Sequence, residues 1–197
     1  MWNQRYNTEH YIYGTEPNSF LAQHVRELPL GPVLCLAEGE GRNAVFLAEQ
    51  GYEVTAVDAS AVGLAKARNL ASARSVNIHT VQADLAEFDL GTGHWAGIVS
   101  IFCHLPPAIR QIVHARLDTA LIPGGVLILE AYTEQQLQLK TGGPSDPAMM
   151  MSIQKLQQEI TGLHFNCLQE VEREIIEGTG HTGRGAVVQA IAVKVLD

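Results

Sequence analysis

A chain of 197 residues fits one compact domain. At that size folding buries roughly 70% of the surface of the unfolded chain, enough for a core without staples. Apolar residues at 46% and charged ones at 17% exclude an extended disordered protein. Thirteen Lys and Arg against 21 Asp and Glu leave a net charge of −8 with no basic run, so nucleic acid is a disfavoured partner. Cys35, Cys103 and Cys167 are odd in number and far apart, the pattern of reduced thiols in a cytosol rather than of a disulfide frame. No apolar run approaches the ~20 residues that span a bilayer, and the opening MWNQRYNTEHYIYG has no apolar core of a secretory signal. The expectation is a cytoplasmic, globular protein with no membrane contact and an open oligomeric state.

Along the chain, apolar strand-like runs alternate with helical stretches. Val33 to Ala37 is wholly apolar and ends at glycines, as a strand buried on both faces does. Asn43 to Gln50 predicts a helix closed by Gly51, and Tyr52 to Val57 the next strand. Ser60 is placed to cap a helix carrying Leu64, Ala67 and Ala71. Val76 to Val81 and Ala96 to Phe102 predict strands three and four. Pro106 and Pro107 stand at a helix start, followed by an apolar stripe of Ile109, Val113, Leu117 and Leu121. Pro123-Gly124-Gly125 predicts a turn, and Val126 to Leu129 the fifth strand. Residues 133–160 read as an irregular insertion with one helix, placed to wall the active site. Glu170 to Ile176 and Ala186 to Leu196 close the chain as an antiparallel hairpin.

This rhythm predicts a single α/β domain over 1–197, doubly wound on a mostly parallel seven-stranded sheet, with residues 1–30 as a lid segment and helix. Its first βα turn is Ala37-Glu38-Gly39-Glu40-Gly41-Arg42-Asn43-Ala44. Two glycines spaced by one residue let the backbone turn sharply and approach a ligand. Asp58 ends the second strand 17 residues after Gly41, where dinucleotide folds hold a ribose diol on a carboxylate. The plain alternative is a tight turn with a solvated acid beside it. Glu38 and Glu40 are a poor wall for a pyrophosphate but suit a cofactor with a cationic centre and an ammonium. That favours S-adenosylmethionine over NAD.

The segments VLCLAEGEGRNAVFLAEQGYEVTAVDAS (Val33 to Ser60), VQADLAEFDL (Val81 to Leu90), WAGIVSIFCHLP (Trp95 to Pro106) and LIPGGVLILEAY (Leu121 to Tyr132) resemble the class I S-adenosylmethionine-dependent methyltransferases. The opening YIYGTEPNSFL (Tyr11 to Leu21) resembles their tellurite-resistance and thiopurine-type subgroup. By that resemblance Glu38, Gly39 and Gly41 line the methionine moiety, with Asn43 beside them. Asp58 binds the ribose diol, Ala59 packs under the adenine, and Asp84 with the Leu85 backbone meets the adenine edge. Phe102 and Cys103 lie near the amino acid tail. The chain departs from the family pattern at Cys35, where an Asp is common, and at Ala37, where a Gly is.

Trp2, Tyr6, Tyr11 and Tyr13 either close over the cofactor, Tyr13 with a ring near the sulfonium, or dock the terminus through apolar area. His104, after the fourth strand, is a candidate general base. Tyr132 and Glu130, after the fifth, are placed at the same crevice. Met149 to Met151 suit either a soft substrate wall or plain packing. No Cys/His cluster has zinc spacing, so no metal is expected. The leading reading is methyl transfer from S-adenosylmethionine to a small-molecule acceptor, leaving S-adenosylhomocysteine. An NAD-dependent oxidoreductase and a non-catalytic S-adenosylmethionine-binding relative are the alternatives.

Overall fold

The computed structural model describes residues 2–195. Two short helices open the chain, α1 (Trp2–Tyr6) and α2 (Ser19–His24). Then β1 (Pro32–Leu36), α3 (Arg42–Glu49), β2 (Glu53–Asp58), α4 (Ala61–Ala73) and β3 (His79–Gln82) follow in strict alternation. After β4 (Trp95–Ile101) come α5 (Pro107–His114), α6 (Leu117–Ala120) and β5 (Leu121–Tyr132). The insertion holds α7 (Gln136–Leu139) and α8 (Ile153–Glu159), and the hairpin is β6 (Leu163–Glu177) with β7 (His181–Lys194). Leu196, expected at the end of the last strand, lies outside the described residues.

The seven strands form one sheet in the order β3-β2-β1-β4-β5-β7-β6. The four pairings from β3 to β5 are parallel, while β7 runs antiparallel to both β5 and β6. The order reverses between β1 and β4, which is where open α/β sheets bind ligands. β1 shows why a wholly apolar run makes a central strand. Val33 and Cys35 pack with Leu47 and Leu64 on one face, and Leu34 and Leu36 with Val113 and Leu127 on the other.

The helix signals read from sequence act as expected. Ser60 accepts the Gly63 N–H at 3.0 Å as the cap of α4. Gly51 takes the left-handed conformation after α3, with φ +91°. Two details differ. The stripe from Ile109 to Leu121 is not one helix: α5 stops at His114, and Leu121 already pairs with Trp95 in the sheet. The break coincides with an ionic cluster, because Arg110 and His114 are buried and both bind Glu159. Pro123-Gly124-Gly125 does not precede β5 but bulges within it. The register moves from Trp95↔Leu121 to Gly97↔Val126, so β5 carries three extra residues there.

Candidate active site

The crevice lies at the C-terminal ends of β1, β2, β4 and β5. The loops after β1 and β4 leave their strands on left-handed residues that are not glycine: Ala37 with φ +49° and Phe102 with φ +51°. Each conformation costs about 1–3 kcal/mol and persists only where its surroundings impose it. Gly39 and Gly41 follow with φ +65° and +93°. A Cβ at Gly41 would lie 2.5 Å from the Ala67 Cβ, so this glycine lets α3 and α4 approach each other.

Asp58 closes β2 with 7% exposure. Its Oδ2 accepts the Gly39 N–H at 2.8 Å and its Oδ1 the Ser60 N–H at 2.7 Å. Burial raises its pKa, opposed by those two backbone donors. Each oxygen keeps a further lone pair, as a ribose diol requires. The Ala83 N–H donates to the Asp58 carbonyl at 3.1 Å, bringing the Asp84-Leu85 turn alongside. There Asp84 and Ala59 are exposed and Leu85 is buried.

Glu38 caps α3. Its Oε1 accepts the Asn43 and Ala44 N–H groups at 3.0 and 2.8 Å, leaving Oε2 outside the cap. Burial pushes its pKa up to about 7 against the capping bonds and Arg42. A carboxyl raised from its usual value contributes stability below pH ~4.5 that is lost as pH rises through 7. Glu38→Gln keeps the capping oxygen and cannot ionise. Thermal melts of ligand-free protein should therefore show the variant gaining on wild type as pH rises from 5 to 8. Parallel curves would mean that Glu38 ionises freely in place.

The second acid of the turn does not face the crevice, contrary to the sequence reading that both carboxylates would meet the cofactor. Glu40 Oε2 accepts the Ile12 and Tyr13 N–H groups at 2.8 and 3.3 Å, and Oε1 pairs with Lys66. Lys66 Nζ also donates to the carbonyls of Tyr6, Thr8 and His10. Together they fasten the N-terminal segment. Tyr6, 5% exposed, docks on the glycine turn itself: a Cβ on Gly39 would lie 2.5 Å from its hydroxyl, and one on Gly63 3.0 Å from its ring. Asn3 Oδ1 accepts from the Ser60 hydroxyl at 2.7 Å. Asn43, at the start of α3, accepts the Asn18 N–H at 2.9 Å and so holds the same segment.

At the ends of β4 and β5 the rings of Phe102 and Tyr132 stack at 4.6 Å. His181, from the tip of the β6–β7 hairpin, packs 4.7 Å from Phe102, 5.2 Å from Tyr132 and 4.5 Å from Tyr13. Burial and the Glu177 and Glu130 carboxylates raise the Tyr132 pKa, so its phenol stays protonated. His104 stands beside this group with both ring nitrogens engaged. The Tyr132 N–H donates to Nε2 at 2.9 Å, which leaves Nδ1 to carry the proton toward the Phe102 carbonyl at 3.1 Å. Burial, then His181, lowers its pKa to about 3, and the imidazole is neutral. Cys103 turns into the core, where burial and Asp58 push its thiol up to about 12. Met150 and Met151 are core residues, Met150 against Tyr132 and Ile175.

Glu130, near the end of β5, lies fully buried in an ionic network. It accepts from Arg173 Nε and Nη2 at 2.8 and 2.6 Å, from Asn18 at 2.6 Å and from Gln189 at 2.7 Å. Glu177 accepts from Asn18 at 2.9 Å and from Arg42 Nη2 at 2.6 Å. Sequence reading missed Asn18, Arg42, Arg173, Glu177 and His181. Two signals were present: Asn18 precedes a helix as a capping residue, and Arg42 follows the G-x-G turn directly. His181 had no local signal, because only the return of the hairpin brings it to the crevice.

Residues 33–125, just under half of the chain, match a family model described as a methyltransferase domain. No curated protein matches the chain in sequence. Among solved structures, a protein from work on the conversion of a disulfide bond into a thioacetal group during echinomycin biosynthesis aligns with TM-score 0.77 at 18% identity. The alignment covers 98% of this chain and 88% of that one. TehB from Haemophilus influenzae aligns with TM-score 0.68 at 20% identity, covering 98% of this chain and 65% of its own. An S-adenosylmethionine-dependent methyltransferase from Anabaena variabilis aligns with TM-score 0.69 at 16% identity over 98% and 93%. The fold is thus the Rossmann-like methyltransferase fold. Among the described residues no helix is long and apolar enough to cross a membrane.

Proposed function

We propose that this chain, with its methyltransferase fold, transfers a methyl group from S-adenosylmethionine to a small-molecule acceptor. The observation that carries the reading is Asp58, held by two backbone donors with lone pairs to spare, beside a glycine turn whose Glu38 keeps one oxygen outside its cap. When bound, the cofactor supplies an activated methyl group on a sulfonium. The residues then have to align and exclude water rather than cleave. Asp58 holds the diol, and Asp84 with the Leu85 backbone frames the adenine edge. Gly39 and Gly41 let the backbone approach, and Glu38 Oε2 accepts from the ammonium. Phe102 and Tyr132 form a dry aromatic wall for the acceptor. His104, with its lone pair occupied by the Tyr132 N–H, fixes these two rings relative to each other. A thiolate or another soft nucleophile needs no base from such a site.

Calorimetric titration with S-adenosylhomocysteine and with NADH tests this reading. Binding of the first with no heat from the second is expected, because Glu38 beside the turn repels a pyrophosphate. Saturable NADH binding with none for S-adenosylhomocysteine would replace the reading with an oxidoreductase. Glu38→Gln should weaken S-adenosylmethionine and S-adenosylhomocysteine alike, since both carry the ammonium. A loss confined to S-adenosylmethionine would place the carboxylate near the sulfur instead. Turnover with thiol, amine and phenol acceptors, followed by release of S-adenosylhomocysteine, separates an enzyme from a relative that only binds.

A further inference from the structure

Asp58 is 7% exposed, too enclosed for a ribose diol to reach it from solvent. Part of the protein has to move before a cofactor can enter, and what lies across the site is α1. Its Tyr6 rests a hydroxyl where a Gly39 Cβ would stand, and its Asn3 accepts from the Ser60 hydroxyl two residues beyond Asp58. Burial, and after it the Asp58 carboxylate, raises the Tyr6 pKa, so the phenol stays neutral beside that acid. Among the described residues, the partners of the Asp58 oxygens are the Gly39 and Ser60 N–H groups and not the phenol. A plug would take the hydrogen bonds meant for a ligand. Tyr6 leaves them free and covers them.

The N-terminal segment is fastened unequally along its length. Ile12 and Tyr13 give their N–H groups to buried Glu40, and the Ile12 carbonyl accepts from the Thr179 and Gly180 N–H groups at 2.8 and 3.0 Å. Asn18 adds its bonds to Asn43, Glu130 and Glu177. By contrast, α1 is five residues long with Tyr6 as its one buried side chain, and residues 7–10 are all exposed. So short a helix has little stability of its own, and a segment with one buried contact opens before the rest of the fold.

Lys66 stands between the two halves. Its ammonium pairs with Glu40 and donates to the His10 and Thr8 carbonyls at 2.6 and 3.2 Å. It reaches the Tyr6 carbonyl and the Thr8 hydroxyl only at 3.4 and 3.5 Å. An ammonium has three donors, fewer than the acceptors gathered around this one. The long contacts can be given up while the short ones hold, which is what a pivot requires.

We propose that α1 is a gate over the cofactor site, bolted by Tyr6 on Gly39 and swinging at residues 7–10 about Lys66. What the gate retains rests on the methyltransferase reading. Open, it admits the cofactor to Asp58; closed, it shuts water out of the crevice. Residues 11–18 keep their place in both states. The rate of cofactor exchange is thereby set by Tyr6 and Lys66.

Trypsin cleavage after Arg5, followed by mass spectrometry as loss of the chain's opening, reads the gate directly. A protease needs extended chain on both sides of the bond, so Tyr6 must leave Gly39 first. In ligand-free protein the cut should proceed at a rate that urea below the unfolding transition does not change, as local opening does. A rate that climbs with urea would mean that α1 opens only with the whole fold, and would overturn the gate. Saturating S-adenosylhomocysteine should slow the cut about tenfold or more. Faster cutting would make Tyr6 a plug that the ligand expels, and an unchanged rate with ligand bound would make α1 a tie unrelated to the site. Either result overturns the gate. Bound S-adenosylhomocysteine should be displaced from Tyr6→Ala and Lys66→Met about tenfold or more faster than from wild type, and from Tyr6→Phe at nearly the wild-type rate. A lower Tm with wild-type displacement in both variants would leave these residues a structural role and overturn the gate. If S-adenosylhomocysteine does not bind wild type, the methyltransferase reading fails by itself. The urea series then decides alone whether α1 opens independently of the fold.

Discussion

Asp58→Ala is expected to weaken S-adenosylhomocysteine binding by at least tenfold and also to lower the Tm of the ligand-free protein. The first effect follows from the loss of charge-assisted hydrogen bonds to the ribose diol, worth about 1.5–3 kcal/mol each. The second effect is set by the fold. Asp58 ties the Gly39 N–H on one side and the Ser60 N–H on the other, so it joins the glycine turn to the start of α4. Sequence reading alone expects the ligand-free protein to be indifferent to this change, because an acid at a strand end reads only as a ligand group. Burial already disfavours the charged form of Asp58, which offsets part of the loss. A net cost of about 2 kcal/mol remains, or a Tm drop of about 4–8 °C for a domain of this size. Asp58→Asn keeps one carbonyl acceptor and should fall between the two proteins in both measurements. Calorimetric titration and thermal melts on the three proteins check it. Wild-type affinity in Asp58→Ala would remove the residue from the ligand site.

The parts of the molecule that were legible in the sequence are those where local chemistry and global position agree. Ser60 and Gly51 mark the ends of helices through their own side chain and backbone conformation, so the sequence carries the information within a few residues. The apolar run at β1 is similarly self-contained, since a strand buried on both faces has no room for a polar residue. Asp58 and the G-x-G turn belong to one βαβ unit and needed no distant contact to be placed. Glu40 shows the limit. Its neighbours in sequence are those of a ligand-facing acid, and only the N-terminal segment crossing above the turn reveals that its oxygens bind Ile12, Tyr13 and Lys66. The same holds for His104, whose position suits a base while the Tyr132 N–H occupies its lone pair. His181 and Glu177 lie about 140 residues from the turn they approach, and no periodicity in a hairpin tip reports where that tip will rest.

The network around Glu177 carries the other large expected effect. Glu177 is 6% exposed and binds Asn18 before α2, Arg42 at the start of α3 and Arg173 on its own strand β6, with His181 of the hairpin tip 3.9 Å away. Burial alone would raise its pKa, but His181, Arg42 and Arg173 outweigh that and hold it at about 2. Its stability contribution is therefore complete above the ordinary carboxylate value near pH 4.5 and is lost as pH falls toward 2. Glu177→Ala leaves the Arg42 guanidinium buried with neither edge paired, the situation that costs about 3–5 kcal/mol when one partner of a buried ion pair is removed. Arg173 keeps Glu130 and is affected less. Denaturant unfolding at pH 7 should show a loss in that range for Glu177→Ala. Glu177→Gln, which retains an acceptor for Asn18, should lose less. Between pH 4.5 and 2.5 wild type should lose stability faster than either variant, so the gap narrows as the carboxylate of the unfolded chain takes up a proton that the native one still resists. A gap that stays constant over that range would show that Glu177 acts by packing alone. In that case the volume of its side chain between Asn18 and Arg42, and not its charge, would be what holds the end of β6 against the start of α3.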